Sequence, residues 1–488
     1  MKQVLWCAPF ATCWAASATG ATQGKLTLTE CRIESAASAG SIAARCGLYT
    51  VRENRDDPQS KELQLRVAVV PALSANAQGE PLFILSGGPG QAASDFYTSV
   101  SPVFARVRRE RDIVILDQRG TGASNRLDCD FPDDADMALN SAEQLRKNAL
   151  ACLAALPGDP RFYTTSVAVR DLDEVRAALG HERLNLYGVS YGTRVAQHYA
   201  RRFGPRVRTM ILDGVVPPDV PLGPEVALEN QRTLDRILER CTAEPGCKTA
   251  FPNVRSSFEA LRGRLEREPL HLTIPDPLNA EPVDLTFGAL HLAAAVRLLT
   301  YSDESASVLP LLIHQAEVLR QPQALAAQYL MVKRATDVQF AYGMHFAVIC
   351  SEDAPRWPES AAADEAAAGT YLGTTFMSSL RSVCGVWPRG TVDDDFGEPL
   401  KSDVPTLILS GGNDPATPQA YGEHVRPGFA NGRHLVLEGQ GHGQLGTSCM
   451  PRVIAAFIGR GSVTGLPTDC LKKVSPAPPM LSRSATAP

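Results

Sequence analysis

The sequence predicts an α/β protein with a mostly parallel central sheet flanked by helices and a helical segment inserted before the last strands. Three observations point there. From about residue 61 to 216, short continuous apolar runs alternate with helical stretches, as expected for strands buried on both faces of a parallel sheet. The pentapeptide Gly188-Val189-Ser190-Tyr191-Gly192 stands between one such run and a helix, the setting of a tight strand-to-helix turn. From about 217 the alternation stops, and strand-like runs return only at 404–409 and 434–437.

Taken in order, residues 1–21 read as an export signal. Lys2 supplies the positive start, 4–16 is mostly apolar apart from Pro9, and Ala16-Ser17-Ala18 offers a small-residue cleavage site. Residues 22–60 form an N-terminal extension containing Cys31 and Cys46. The core's first part, 61–216, begins with a strand at 63–70 whose apolar residues alternate. The runs at 81–85 and 112–117 are short buried strands. A helix at 169–179 precedes the strand 184–187, and a strand at 209–213 follows the elbow helix. After the joint Val216-Pro217-Pro218, helical periodicity at 233–241, 258–265 and 290–299 marks 217–400 as a helical cap. The core resumes over 401–470. The remainder, 471–488, is rich in Pro, Ser and Ala and is expected to be disordered.

Composition narrows the function. The chain has 488 residues, 44% hydrophobic and 21% charged, enough apolar content for a large core. A net charge of -5 without a basic stripe argues against a nucleic-acid partner. Beyond the N-terminal segment no apolar stretch approaches the ~18 to 20 residues of a membrane span. Oligomeric state is left open. Of twelve cysteines, Cys7 and Cys13 fall within 1–21, which leaves ten. An even number in an exported chain, periplasmic or extracellular, suggests disulfides. Connectivity does not follow from sequence. The simplest pairing is sequential: Cys31–Cys46, Cys129–Cys152, Cys241–Cys247, Cys350–Cys384 and Cys449–Cys470. Free buried thiols are the alternative. No Cys/His cluster has zinc-ligand spacing, so neither a metal nor an organic cofactor is expected.

The chemistry-bearing residues form a chain-order pattern. A serine hydroxyl needs a base to take its proton, and an imidazole base needs an acid to set its tautomer. For a serine on such an elbow the expected order is Ser, then Asp or Glu, then His. Ser190 is the candidate nucleophile. Asp414 follows the strand 404–409 in Ser410-Gly411-Gly412-Asn413-Asp414-Pro415, and His442 follows 434–437 in Gly439-Gln440-Gly441-His442-Gly443. Asp213 is the rival acid, and an Asp before Pro could simply shape a turn. The loop Ser86-Gly87-Gly88-Pro89-Gly90 lets backbone N–H groups approach a substrate oxygen. Gly88 and Tyr191 are the candidate oxyanion donors, worth roughly 3 kcal/mol each. His345 is the other histidine of interest, though packing is its simpler role.

Five motifs together carry a family resemblance: Leu85-Ser86-Gly87-Gly88-Pro89-Gly90, Asp117-Gln118-Arg119-Gly120-Thr121-Gly122-Ala123-Ser124, the elbow, Ile408-Leu409-Ser410-Gly411-Gly412-Asn413-Asp414-Pro415-Ala416-Thr417-Pro418, and the His442 loop. Over about 60–470 the chain resembles the proline iminopeptidase and tripeptidyl aminopeptidase family of α/β-hydrolases. It departs from many relatives by having Ser86 where they have His. The resemblance implies an α/β-hydrolase fold and an exopeptidase for short peptides with a free N-terminus. A desolvated ammonium needs an anionic partner, and Glu352, with Asp353 second, is the candidate in Ile349-Cys350-Ser351-Glu352-Asp353. Asp117 and Arg119 are expected to brace the oxyanion loop. A carboxylesterase or lipase would use the same triad, and a non-catalytic binding protein on this scaffold is the reading from another class.

Overall fold

The computed structural model describes residues 26–486 apart from 36–37, 78, 130–140, 359–360 and 483. The export segment expected at 1–21 lies outside the described residues. In chain order the strands are β1 (Thr29–Ser35), β2 (Ser38–Arg52), β3 (Glu62–Val70), β4 (Leu82–Leu85), β5 (Ile113–Leu116), β6 (Leu184–Val189), β7 (Val207–Asp213), β8 (Leu270–Pro275), β9 (Pro282–Phe287), β10 (Thr406–Gly411), β11 (Gly432–Leu437), β12 (Met480–Ser482) and β13 (Ala485–Thr486). Nine of them form one sheet, ordered β1-β2-β3-β5-β4-β6-β7-β10-β11. From β5 to β11 the neighbours run parallel. β1, β2 and β3 join antiparallel at one edge.

Period-two side-chain alternation sorts each central strand between two cores. Phe83, Leu85, Val114, Leu186 and Leu212 face one core with Leu172 and Tyr199, from the helices Thr165–Ala178 and Tyr191–Phe203. Leu82, Ile84, Ile115, Tyr187 and Ile211 face the other, with Tyr97 and Phe457 from the helices Ala93–Val100 and Met450–Arg460. Burying a large apolar side chain contributes about 1.5–3 kcal/mol. Continuous apolar strands therefore stabilise both layers at once.

The structure adds detail to three sequence readings. Within the 22–60 extension, β1 and β2 lengthen the main sheet, and Ile33, Tyr49 and Val51 are buried in its cores. Its alternation is one-sided, as an antiparallel edge with one wet face requires. The 217–400 segment is helical but also holds the hairpin β8–β9. Its own core includes Leu234, Phe258, Leu292, Ile313 and Tyr329. The tail is not disordered through its described length. The Ala477 N–H donates to Asp303 Oδ2, Met480 N–H donates to the Ser307 carbonyl at 3.0 Å, and Leu481 packs on the inserted segment's core. Backbone partners supplied by the insertion override the tail's composition.

All five sequential disulfides are present, Cys31–Cys46, Cys129–Cys152, Cys241–Cys247, Cys350–Cys384 and Cys449–Cys470. No helix among the described residues is long and apolar enough to cross a membrane.

Candidate active site

β6 ends at Val189, and Ser190 turns directly into the helix Tyr191–Phe203. Ser190 has φ 54° and ψ -127°, a conformation that side-chain-bearing residues rarely adopt. The local sequence makes room for it. A Cβ on Gly188 would collide with the Gly192 carbonyl, and one on Gly192 would collide with the Leu85 carbonyl. Ser190 N–H donates to the Asp213 carbonyl at 2.9 Å, and its own carbonyl accepts from Thr193 N–H and Oγ1 at 2.9 and 2.6 Å. The turn is thereby held from both sides.

Asp414 and His442 lie in the loops after β10 and β11, at the same carboxyl end of the sheet. His442 Nδ1 lies 2.8 Å from Asp414 Oδ2. The carboxylate can only accept, so Nδ1 carries the proton and Nε2 keeps its lone pair. Asp414 is itself oriented: Oδ1 accepts from Ala416 N–H at 2.8 Å and Thr417 N–H at 2.9 Å, and Oδ2 accepts from Thr417 Oγ1 at 2.8 Å. Tyr301 holds the other side of His442. Its carbonyl accepts from His442 N–H at 2.6 Å, and its ring meets the imidazole edge-on at 5.3 Å. Burial lowers the proton affinity of His442, but the Asp414 charge and hydrogen bond, with Asp213's charge, outweigh it and raise the pKa above 6.5.

Asp213 does not take the Nδ1 position. It accepts from Tyr187 Oη at 2.8 Å and from Gln444 N–H at 2.8 and 3.0 Å. Burial lifts its pKa to about 6.

The glycine loop after β4 lies against the elbow: a Cβ on Gly87 would sit 3.1 Å from Ser190 Cβ. Gly88 and Gly90 have φ of 104° and 109°, open to glycine without strain. Tyr191 opens its helix, so its N–H is a first-turn donor without a partner inside the helix. Ser86, which stands where relatives have His, donates its hydroxyl to the Gln91 carbonyl at 2.6 Å. The insertion supplies a second brace: His345 Nδ1 donates to the Pro89 carbonyl at 3.0 Å. Burial lowers the pKa of His345, against the Pro89 hydrogen bond, which keeps the ring neutral near pH 7.

Ser190, His442, Gly88, Asp213 and His345 border one cavity of about 710 Å3. Residues of the insertion, among them Leu290, Phe346 and Phe376, line it together with the core.

Glu352 and Asp353 do not reach that cavity. Glu352 is 2% exposed and accepts from Thr165 N–H at 2.6 Å and Thr165 Oγ1 at 3.0 Å. Asp353 is fully buried and takes two hydrogen bonds from Arg194 Nη1 at 2.9 and 3.1 Å. From the short π-helical turn Ile349–Asp353, Glu352 therefore meets the helix Thr165–Ala178 and Asp353 meets the elbow helix. The two carboxylates brace the insertion against the core instead of facing an ammonium. Burial raises the pKa of Glu352 to about 7. Arg119 also differs from expectation. It forks onto Asp171 at 2.6 and 2.8 Å and caps the Glu53 and Phe162 carbonyls, and none of these partners is in the glycine loop. Asp117 does brace the segment just past that loop, accepting from Ser94 N–H and Oγ at 2.9 and 3.0 Å. Thr417 and Tyr301 were not anticipated. The signal for Thr417 was its place three residues after an Asp in a turn, where a hydroxyl can return to the carboxylate.

The family model for the alpha/beta hydrolase fold matches residues 80–447. The chain is 25% identical over 464 residues to serine protease Hip1 of Mycobacterium tuberculosis, covering 88% of this chain and 87% of that protein. It is 32% identical over 191 residues to the tripeptidyl aminopeptidase of Streptomyces coelicolor, 36% of this chain and 35% of that one. A solved proline iminopeptidase from Mycobacterium smegmatis is 16% identical with a TM-score of 0.37, covering 85% of this chain and 98% of that chain.

Proposed function

Because this chain belongs to the α/β-hydrolase fold family, we propose that it is an exported serine peptidase that releases residues or short peptides from the amino end of small peptide substrates. One observation carries the reading. His442, paired with an Asp414 that Thr417 fixes, borders the same cavity as the strained Ser190. In this reading Ser190 Oγ attacks a carbonyl while His442 Nε2 takes its proton. The N–H groups of Gly88 and Tyr191 hold the oxyanion. His442 then returns the proton to the leaving amine, and water, activated by the same imidazole, clears the acyl group from Ser190.

Peptide and ester cleavage share these steps, so the peptide preference rests on other support. Relatives named serine protease Hip1 and tripeptidyl aminopeptidase align with the chain. A cavity of about 710 Å3 is in the size range of small-ligand sites. Residues 217–400 act as a cap that admits a chain end and excludes a folded chain's interior. Since Glu352 and Asp353 are engaged elsewhere, restricted space beneath the cap selects the terminus. Five disulfides support export to an oxidising compartment.

The test compares free-amino with N-blocked peptide anilides, with a short-chain nitrophenyl ester alongside. The free-amino anilide is expected to turn over and the bulky block to abolish turnover. Equal rates with and without the block would remove the aminopeptidase reading. Ester turnover alone would leave an esterase.

A further inference from the structure

The cavity contains a cation that the catalytic steps do not use. Arg297 lies in the last turn of the helix Ala289–Leu299, within the inserted segment, and borders the same cavity as Ser190 and His442. Its guanidinium is flanked by two aromatic rings, 5.3 Å from the Phe376 centroid and 5.7 Å from that of Tyr301. Tyr301 in turn packs against His442, so the cation stands one side chain from the reacting centre.

What Arg297 lacks among the described residues is an anion. There, its guanidinium's one hydrogen bond runs from Nη2 to Tyr301 Oη at 3.2 Å. Its Nε is buried without a partner, and among the described residues no carboxylate lies within ion-pair distance of it. A guanidinium has five N–H donors, so most of this group's capacity is open. The helix C-terminus beside it offers only partial negative charge. The surrounding wall is largely apolar, with Leu290, Phe340 and Phe376. The wall's one carboxylate among the described residues, Asp213, is 0% exposed and already bonded to Tyr187 and Gln444. A charge held in apolar surroundings is costly until paired.

We propose that Arg297 binds a carboxylate of the substrate, which makes the preferred substrate a short anionic peptide. The planar fork suits a carboxylate accepting two parallel hydrogen bonds. Among the described residues the wall has no second Arg or Lys to match a more highly charged group. The carboxylate comes from an acidic side chain or from the C-terminus of a peptide short enough to lie wholly in the cavity. This assignment rests on the serine-peptidase reading of the same site.

Two matched pairs of short peptides test it: Glu against Gln at one position, and free acid against amide at the C-terminus. A neutral nitrophenyl ester reports hydrolysis independently. In the wild type, the anionic member of at least one pair is expected to exceed its neutral partner in kcat/KM by about ten-fold or more, mainly through KM. The pair that responds identifies the source of the carboxylate. Arg297→Met should level the ratio, and Arg297→Lys should keep part of it. The wild-type ratios stand alone if the Met variant fails to fold. Equal kcat/KM within both pairs overturns the assignment and leaves the peptidase reading intact. Ester cleavage with no peptide cleaved overturns both.

Discussion

His442 has to be neutral to accept a proton, yet its surroundings favour the charged ring. Burial works against the charge, and Asp414 with Asp213 more than offsets it, so the pKa lies above 6.5. The acidic limb of kcat/KM is therefore expected to have its midpoint above pH 6.5, with activity rising as the proton leaves. Asp414→Asn should lower turnover about 10⁴-fold by presenting the wrong tautomer, and should move that limb toward lower pH. Asp213→Asn should act mainly on stability, because its partners are Tyr187 and Gln444. Steady-state pH profiles of the three proteins check both statements. Glu352 makes a separate prediction. Folded, it keeps its proton to about pH 7; unfolded, it loses it near the ordinary glutamate value of 4.5. Between these values the folded state binds more protons, so stability falls as pH rises and levels off above about 7. Glu352→Gln can still accept from Thr165 N–H, and should flatten that decline, by up to about 3 kcal/mol. Denaturant titrations at pH 4.5, 6 and 8 would show it. An unchanged slope would mean that another group titrates there.

The elbow is the element on which the site depends. Gly188 lies against the Gly192 carbonyl, so Gly188→Ala forces backbone to move at the one turn that sets Ser190. Activity should fall by more than about 100-fold, and stability by at least roughly 2 kcal/mol. Circular dichroism melts beside active-site titration separate the two losses. This element was legible from sequence because strand, glycines, serine and helix are all local. Asp414 and His442 were legible for the same reason, since each follows an apolar strand within a few residues. Glu352, Asp353 and Arg119 were not. Their acidity or basicity is visible in the sequence, but the direction of a buried side chain is set by partners far along the chain: Thr165 and Arg194 lie 187 and 159 residues from Glu352 and Asp353, and Asp171 lies 52 from Arg119. Arg297 escaped notice in the opposite way. It is a lone charge in the apolar run Leu290-His291-Leu292-Ala293-Ala294-Ala295-Val296-Arg297-Leu298-Leu299, and only the packed cap shows that it faces a cavity and not solvent.

Across the whole molecule, disulfides fasten the insertion as well as the core. Cys350–Cys384 closes a 34-residue separation and ties the turn bearing Glu352 to the helix Thr375–Cys384, which borders the cavity through Phe376 and Leu380. Loop closure of that length stabilises by about 4 kcal/mol in the chain-entropy picture. The double variant Cys350→Ser/Cys384→Ser should melt lower than wild type in non-reducing buffer, and the gap should shrink under reductant. Melts that coincide in non-reducing buffer would mean that this bridge contributes nothing. Connectivity does not follow from sequence, and the simplest pairing, the sequential one, is the one the structure has. The edge strands β1 and β2 were not read, because their alternation covers one face only and the local signal is weak. One sheet brings Ser190 and His442 to a shared cavity, and the proposed function makes them an acylating pair. Reaction with a fluorophosphonate, followed by digestion and mass spectrometry, tests it most directly. One adduct per chain is expected, on the peptide containing Ser190, absent in Ser190→Ala and strongly slowed in His442→Ala. A folded wild-type protein that stays unlabelled, or carries its label on another residue, would contradict it.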